Sequence, residues 1–382
     1  MKKSIDAVYI HIPFCQNICS YCDFCKIYYQ EKIVDKYLSM LEMEIKNKYQ
    51  NDIITTLYIG GGTPSCLSDK ELRKLFRIIK IFKLSSSCEI TFEANVESLD
   101  LSKIKLLKEN GVNRISLGME TINSKLQKII NRKTSKTEII NCINNLRNND
   151  IYNINLDLMY ALPSETVTDL LEDLTFLLSL DVPHISTYSL ILEDHTKLKI
   201  EGYKQIDSDL DYYMYNIITN TLKSKSYIHY EVSNFSKSNY QSKHNLKYWN
   251  NCEYYGFGAG ASGYINNIRY DNTRSITKYL NGKTVMDEEL LTIKDIINYE
   301  VILNLRTNEG IIKENFKNKF NISLDKLFKY KTLVKDGFLV ENYKQVFVNE
   351  KYIYVLNEII LKFLSTLQTN VYDDTILTLT VL

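Results

Sequence analysis

An α/β fold, a partial (β/α)6 barrel left open along one side, is predicted by three features of the chain. From Ala7 to about Leu190, short β-branched or aromatic runs alternate with longer segments of helical period, the pattern of repeated βα units around a parallel sheet. Gly and Pro mark the C-terminal ends of several of these runs, at Pro13, at Gly60-Gly61-Gly62-Thr63-Pro64, at Gly118 and at Pro163, and in βα barrels that is the face where chemistry sits. After about Met286 helical segments lead into a short hairpin around Gly337–Val340 and Gln345–Val348, a winged-helix-like order.

The expected strands are Val8–Ile12, Thr55–Ile59, Glu89–Glu93, Arg114–Leu117, Asn153–Met159 and His184–Leu190. Between the first two, Tyr37, Leu38, Leu41, Ile45 and Tyr49 recur at helical spacing and predict a helix over Val34–Tyr49. Residues 207–285 show no clear βα repeat and are rich in Tyr, Asn and Ser. The organisation read from these patterns is a barrel over residues 1–206, an added α+β segment beside its mouth over 207–285, and a small C-terminal winged-helix-like domain over 286–382.

Composition narrows the function. Of 382 residues, 45% are hydrophobic and 24% charged, enough apolar material for a core. Lys plus Arg (47) nearly balance Asp plus Glu (46), giving a net charge of +1, so no overall field favours nucleic acid as a partner. The start lacks the apolar h-region of a signal peptide, and no apolar run approaches the ~18 residues of a spanning helix. A cytoplasmic protein is expected. Four of the 8 cysteines crowd into Cys15–Cys25 while Cys66, Cys88, Cys142 and Cys252 are scattered, unlike the spacing of a secreted disulfide scaffold.

Cys15, Cys19 and Cys22 have the spacing C-x3-C-x2-C directly after the first strand. Three thiolates on one loop can hold three irons of a [4Fe–4S] cluster and leave the fourth iron open. That open iron can chelate the amino and carboxylate groups of S-adenosylmethionine (SAM), placing its sulfonium for electron transfer and release of a 5′-deoxyadenosyl radical. A zinc knot or incidental buried thiols are the bland readings, although zinc sites usually carry a second paired-ligand cluster and none is seen here. Cys25 reads as a packed thiol.

The segment Tyr9–Phe24, YIHIPFCQNICSYCDF, resembles the radical-SAM coproporphyrinogen III dehydrogenase (HemN-like) family, and within it the HemW-type heme chaperones. The resemblance extends over nearly the whole chain, more weakly beyond about Tyr270. It implies a radical-SAM partial barrel in which Gly61, Gly62 and Thr63 let the backbone approach SAM. Glu93, Arg132 and Asp157 match family positions that bind the carboxylate and ribose ends of SAM, and without the motifs these three read as surface or strand-end salt bridges; Tyr9 and Glu120 join the cofactor-binding set by position. Gly118-Met119-Glu120 stands where the family has Gly-Val-Gln, so an amide is replaced by a group that cannot donate when ionised. Asn95-Val96 replaces Asn-Pro, and Ala161-Leu162-Pro163-Ser164-Glu165 replaces a Gly-Leu-Pro-Gly-Gln pattern.

Two functions compete within the resemblance: delivery of heme to hemoproteins, and radical oxidative decarboxylation of coproporphyrinogen III in porphyrin biosynthesis. The dehydrogenases resemble C-x3-C-x2-C-x-C with a long preceding extension, whereas this chain has Phe24 at the last position and begins 14 residues before Cys15. His244-Asn245-Leu246-Lys247-Tyr248-Trp249 resembles the HNxxYW motif of the HemW type, which implies heme at His244, with Tyr248 and Trp249 shielding the macrocycle. A packing role is the bland alternative for that histidine. Ser262 stands where the family often has His, and His11 is expected to be tied to the cysteine loop. The implied partners are heme, recipient hemoproteins, a reductant such as a flavodoxin or ferredoxin, and a second copy of the chain in a homodimer. Modification of tRNA, read by the C-terminal module, is a third and less favoured function on charge grounds.

Overall fold

The computed structural model describes residues 5–368; residues 369–382 of the expected C-terminal module lie outside them. The described residues form two compact units, residues 5–228, 233–244 and 253–289, and residues 229–232, 245–252 and 290–368.

Six parallel strands make the first unit: β1 (Ala7–Ile12), β2 (Ile53–Gly61), β3 (Lys83–Asn95), β4 (Arg114–Glu120), β5 (Asn153–Tyr160) and β6 (His184–Ser189). Each pairs in parallel with the next in sequence order, the arrangement of successive βαβ units. The first five contain the expected segments, the sixth stops at Ser189, one residue short of the expected Leu190, and the helix expected at Val34–Tyr49 is Glu31–Lys48. Helices start where side chains satisfy the first backbone N–H groups: Ser68, Ser135 and Thr166 each form a capping box with Glu71, Glu138 and Asp169. Val8, Ile10, Ile12, Leu57, Ile59, Ile90, Phe92, Ile115, Leu117, Ile154 and Leu156 are buried in one apolar core. Their alternation partners carry polar groups, so the other face of the sheet is a polar lumen.

Residues 207–285 do more than elaborate the mouth. Asn234–Ser236 (β7) pairs antiparallel with β6, and Tyr255–Phe257 (β8) pairs parallel with β1, so this segment extends the sheet on both sides. At three residues each, both strands are too short to show a period in the sequence.

The second unit has its own core of Ile297, Val301, Phe316, Phe320, Leu324, Leu327, Phe328, Tyr330, Val346, Ile359 and Phe363. Helices Ile293–Asn304, Lys313–Phe320 and Leu356–Leu364 accompany a three-stranded antiparallel sheet of Ile311–Ile312, Leu339–Glu341 and Gln345–Val348. The buried Glu300 is satisfied inside this unit by Lys319 and Asn251.

The turn after β5 keeps the backbone that glycine would favour but without glycine: Ala161 and Ser164 have φ of +61° and +69°. In the same turn Glu165 is 4% exposed, and Leu162 N–H donates to its Oε2 at 2.9 Å. Burial pushes its carboxyl up from 4.5 to about 8. Between those pH values the folded chain therefore keeps a proton that the unfolded chain has lost, and stability falls as pH rises. Glu165→Gln preserves the acceptor for Leu162 without the proton. Its melting temperature is expected to match wild type near pH 4.5, to exceed it increasingly up to pH 8, and to stay higher beyond, with a stability difference on the order of a few kcal/mol. Thermal melts across that range measure the difference.

Candidate cluster and nucleotide site

The loop after β1 is pinned at its base and along its length. Phe14 and Cys15 pair in parallel with Ile27 and Tyr28, Ile27 N–H donates to Pro13 O at 2.7 Å, and Tyr29 N–H donates to Cys15 O at 2.9 Å. Beneath it His11 is 2% exposed, with Nε2 2.8 Å from Cys25 O and Nδ1 3.0 Å from the Tyr9 hydroxyl. Burial lowers its pKa from 6.5 to about 4, so the ring is neutral. Because a carbonyl only accepts, Nε2 carries the proton and Nδ1 accepts from Tyr9. His11 is tied to the cysteine loop, as its position in the sequence suggests. Tyr9 lies one layer down, outside the residues that line the cavity.

From the far side, the turn at Asn131 holds the loop. Asn131 Nδ2 donates to Asn17 Oδ1 at 3.0 Å and Ile18 O at 2.8 Å, and Ser20 N–H donates to Ile130 O at 3.0 Å. Cys15, Cys19 and Cys22 thus line one cavity at the barrel mouth, together with Gly61, Gly62, Thr63, Glu93, Glu120, Arg132 and Asp157. Burial raises all three thiols, Cys19 to about 12, so metal must displace protons to bind them. Cys25 points away, its Sγ 3.3 Å from Arg274 O.

The glycines after β2 close one side of the cavity. Gly62 N–H donates to Ile12 O at 2.9 Å, and Thr63 N–H donates to Phe14 O at 2.8 Å. A Cβ on Gly62 would sit 2.8 Å from Phe14 O and 3.0 Å from Cys15 Sγ, while Gly61 has φ +115°. Backbone therefore lies against a cysteine sulfur where no side chain fits. Thr63 Oγ1 stands 3.5 Å from that sulfur.

Polar groups on alternate residues of β2 to β6 form the wall. Glu93 accepts from Gly61 N–H at 2.9 Å and from the Tyr58 hydroxyl at 2.7 Å. Asp157 accepts from Asn155 Nδ2 at 2.8 Å, and Asn155 is fixed in turn by Ser116, Ser186 and His184. Desolvation raises Glu93, and desolvation with the Glu93 charge raises Asp157 to about 6. Arg114, 2% exposed, opposes both shifts from below. A register shift between Gly118 and Glu120, where Glu120 has φ +55°, turns the Glu120 carboxylate inward. There it meets Arg132 at 2.9 Å and the Tyr21 hydroxyl at 3.2 Å. Arg132 also bonds Gly118 O at 2.8 Å and approaches Glu97 at 3.5 Å, while its buried Nε has no hydrogen-bond partner.

This donor set suits the cofactors expected of it. Three thiols, a side-chain-free backbone surface, two polarised carboxyls and an arginine with an unused donor share one cavity, which matches a thiolate-held cluster beside an amino-acid-bearing nucleotide. Twelve residues were singled out from the sequence, and ten of them line the cavity. Tyr9 supports it through His11. His244 stands apart: it is fully buried lower in the lumen, its Nδ1 3.0 Å from Thr56 Oγ1, its N–H donating to Glu89 at 3.0 Å, and its ring 5.2 Å from that of Tyr58. Asn95, Ser116 and Tyr188 also line the cavity. The period of two on β3, β4 and β6 could have found them, since they lie two residues from Glu93, Gly118 and Ser186.

The radical SAM superfamily model matches residues 9–177. A protein named heme chaperone HemW from Lactococcus lactis subsp. lactis is 38% identical, the match covering 95% of this chain and 98% of that one. The protein of the same name from Bacillus subtilis is 37% identical over 94% of this chain and 100% of its own. Among solved structures, coproporphyrinogen III oxidase (HemN) from Escherichia coli superposes with a TM-score of 0.81 over 94% of this chain and 90% of its own. At 21% identity that likeness speaks to fold.

Gly62→Ala is expected to lower cluster loading several-fold without unfolding the chain, because the added methyl meets the Phe14 carbonyl and the Cys15 sulfur. Iron and sulfide content after anaerobic reconstitution, with circular dichroism as the fold control, measures it.

Proposed function

The chain belongs to the HemW family of radical SAM proteins, and on that premise we propose that it carries heme to recipient hemoproteins. The observation that bears most weight is the relationship to HemW proteins along nearly the full length of both chains. Phe24 agrees with it, because it occupies the position at which the dehydrogenases of the family resemble C-x-C.

In this reading Cys15, Cys19 and Cys22 ligate the cluster, and Gly61, Gly62 and Thr63 give the nucleotide a backbone surface. Arg132 holds the amino-acid carboxylate with its free donor, and Glu93 and Asp157 accept from the ammonium and ribose hydroxyls. Glu120 tempers Arg132 by pairing with it. When bound, the reduced cluster and SAM supply one-electron cleavage of the sulfonium; a flavodoxin or ferredoxin is the reductant class this needs. Such exchange belongs to a cytoplasmic protein, working as a monomer or as a homodimer. The sequence motif assigns heme to His244, which in this structure is packed against Thr56 and Tyr58, so ligation there requires that packing to open.

The second reading, decarboxylation of coproporphyrinogen III, draws on the retained Glu93, Arg132 and Asp157. Cluster-loaded protein is expected to develop a Soret band with hemin, to pass heme to an apo-hemoprotein, and to yield no protoporphyrinogen with dithionite, SAM and coproporphyrinogen III under anaerobic conditions. Turnover of the porphyrinogen without hemin binding would reverse the assignment.

A further inference from the structure

Two loops meet at the rim of the cavity. Leu198 N–H donates to Ser20 O at 3.0 Å, and Tyr21 packs on the apolar cluster that includes Leu190 and Leu198. Between these contacts His195 Nε2 pairs with Asp23 Oδ1, a residue next to Cys22. The imidazole is 67% exposed. Facing a carboxylate, Nε2 is the protonated nitrogen, which leaves Nδ1 as a lone-pair donor. A histidine whose other nitrogen donates to a carboxylate is the usual form of a metal-bound imidazole.

The surroundings suit a porphyrin. Phe24, the residue after Asp23, lines the cavity yet is 68% exposed, and Ile191 on the His195 loop is 69% exposed. Phe24 thus offers an aromatic face at the edge of the cavity that a flat apolar ligand can cover. Two cations lie along the Asp23–Phe24 stretch: the Arg274 guanidinium donates to the Asp23 carbonyl and stands 3.5 Å from its carboxylate, and Lys26 donates to Cys22 O and, at 3.3 Å, to Phe24 O. Heme offers matching chemistry, an iron that takes an imidazole, an apolar face and two propionates.

We propose that His195, oriented by Asp23, is the axial ligand to heme at the rim of the cluster cavity, with Phe24 under the macrocycle and Arg274 and Lys26 toward the propionates. The assignment rests on the heme-carrier reading and replaces its ligand. It sets heme beside the cluster loop, so that heme binding is exposed to the state of the cluster.

Hemin titration of the full, cluster-loaded chain, followed at the Soret band, tests this. His195→Ala is expected to weaken hemin binding about tenfold or more and to shift the Soret band, with iron and sulfide content unchanged because the side chain is exposed. Added imidazole should restore the wild-type spectrum in His195→Gly, a rescue that a merely structural contact would not give. Phe24→Ala should weaken binding several-fold without changing the ligand signature. If His195→Ala binds hemin with wild-type affinity and spectrum, the ligand assignment is wrong and the carrier reading stands. If the wild-type chain itself binds no hemin, both fall.

Discussion

The hydrogen bond from His11 Nε2 to the Cys25 carbonyl, 2.8 Å long and out of water, holds the cysteine loop to the barrel. Around it the constraint is nearly complete: Tyr9 fixes the tautomer from Nδ1, the Tyr37 hydroxyl donates to His11 O at 2.8 Å, and the Phe14–Cys15 bridge closes the loop's base. On the proposed reading the loop offers three sulfurs to one cluster, and such a loop cannot wander, since each misplaced thiol costs a ligand. The strand supplies the rigidity and the loop supplies the spacing. This division explains why a neutral, buried histidine sits between two core isoleucines at the foot of the cysteine loop.

Below the cavity the barrel trades stability for preorganisation. Glu93 and Asp157 are raised by the same low-dielectric surroundings that make them strong acceptors for a cationic ligand. Arg114 supplies the balancing charge without occupying the cavity, and Asn155 with Ser116, Ser186 and His184 fixes the Asp157 carboxyl. Burial also drives His184 well below its ordinary pKa, so it stays neutral and donates from Nδ1 to Asn155. Such networks are costly alone and are offset when ligand binds the folded state.

Much of this was legible in the residues. The six parallel strands of the sheet, the cysteine spacing and the glycine turn announce themselves through period and punctuation, whereas the six-residue strand Val285–Leu290 does not. The short strands β7 and β8 do not, because three residues carry no period. Glu120 was visible as a departure, but its approach to Arg132 depends on a register shift that no local pattern encodes. His195 and Asp23 lie on loops far apart in sequence, and only the fold brings them together. Conversely, the motif at His244 drew attention to a side chain whose surroundings, Thr56, Tyr58 and Glu89, come from two separate strands.

Everything in this account passes through a cluster with one open iron. Electron paramagnetic resonance of the anaerobically reconstituted, dithionite-reduced chain, recorded before and after adding SAM, addresses that directly. The account predicts about four irons per chain, an iron–sulfur signal, and a change in its g-values when SAM binds the open iron. A reconstituted chain with no such signal, or with one indifferent to SAM, would contradict it.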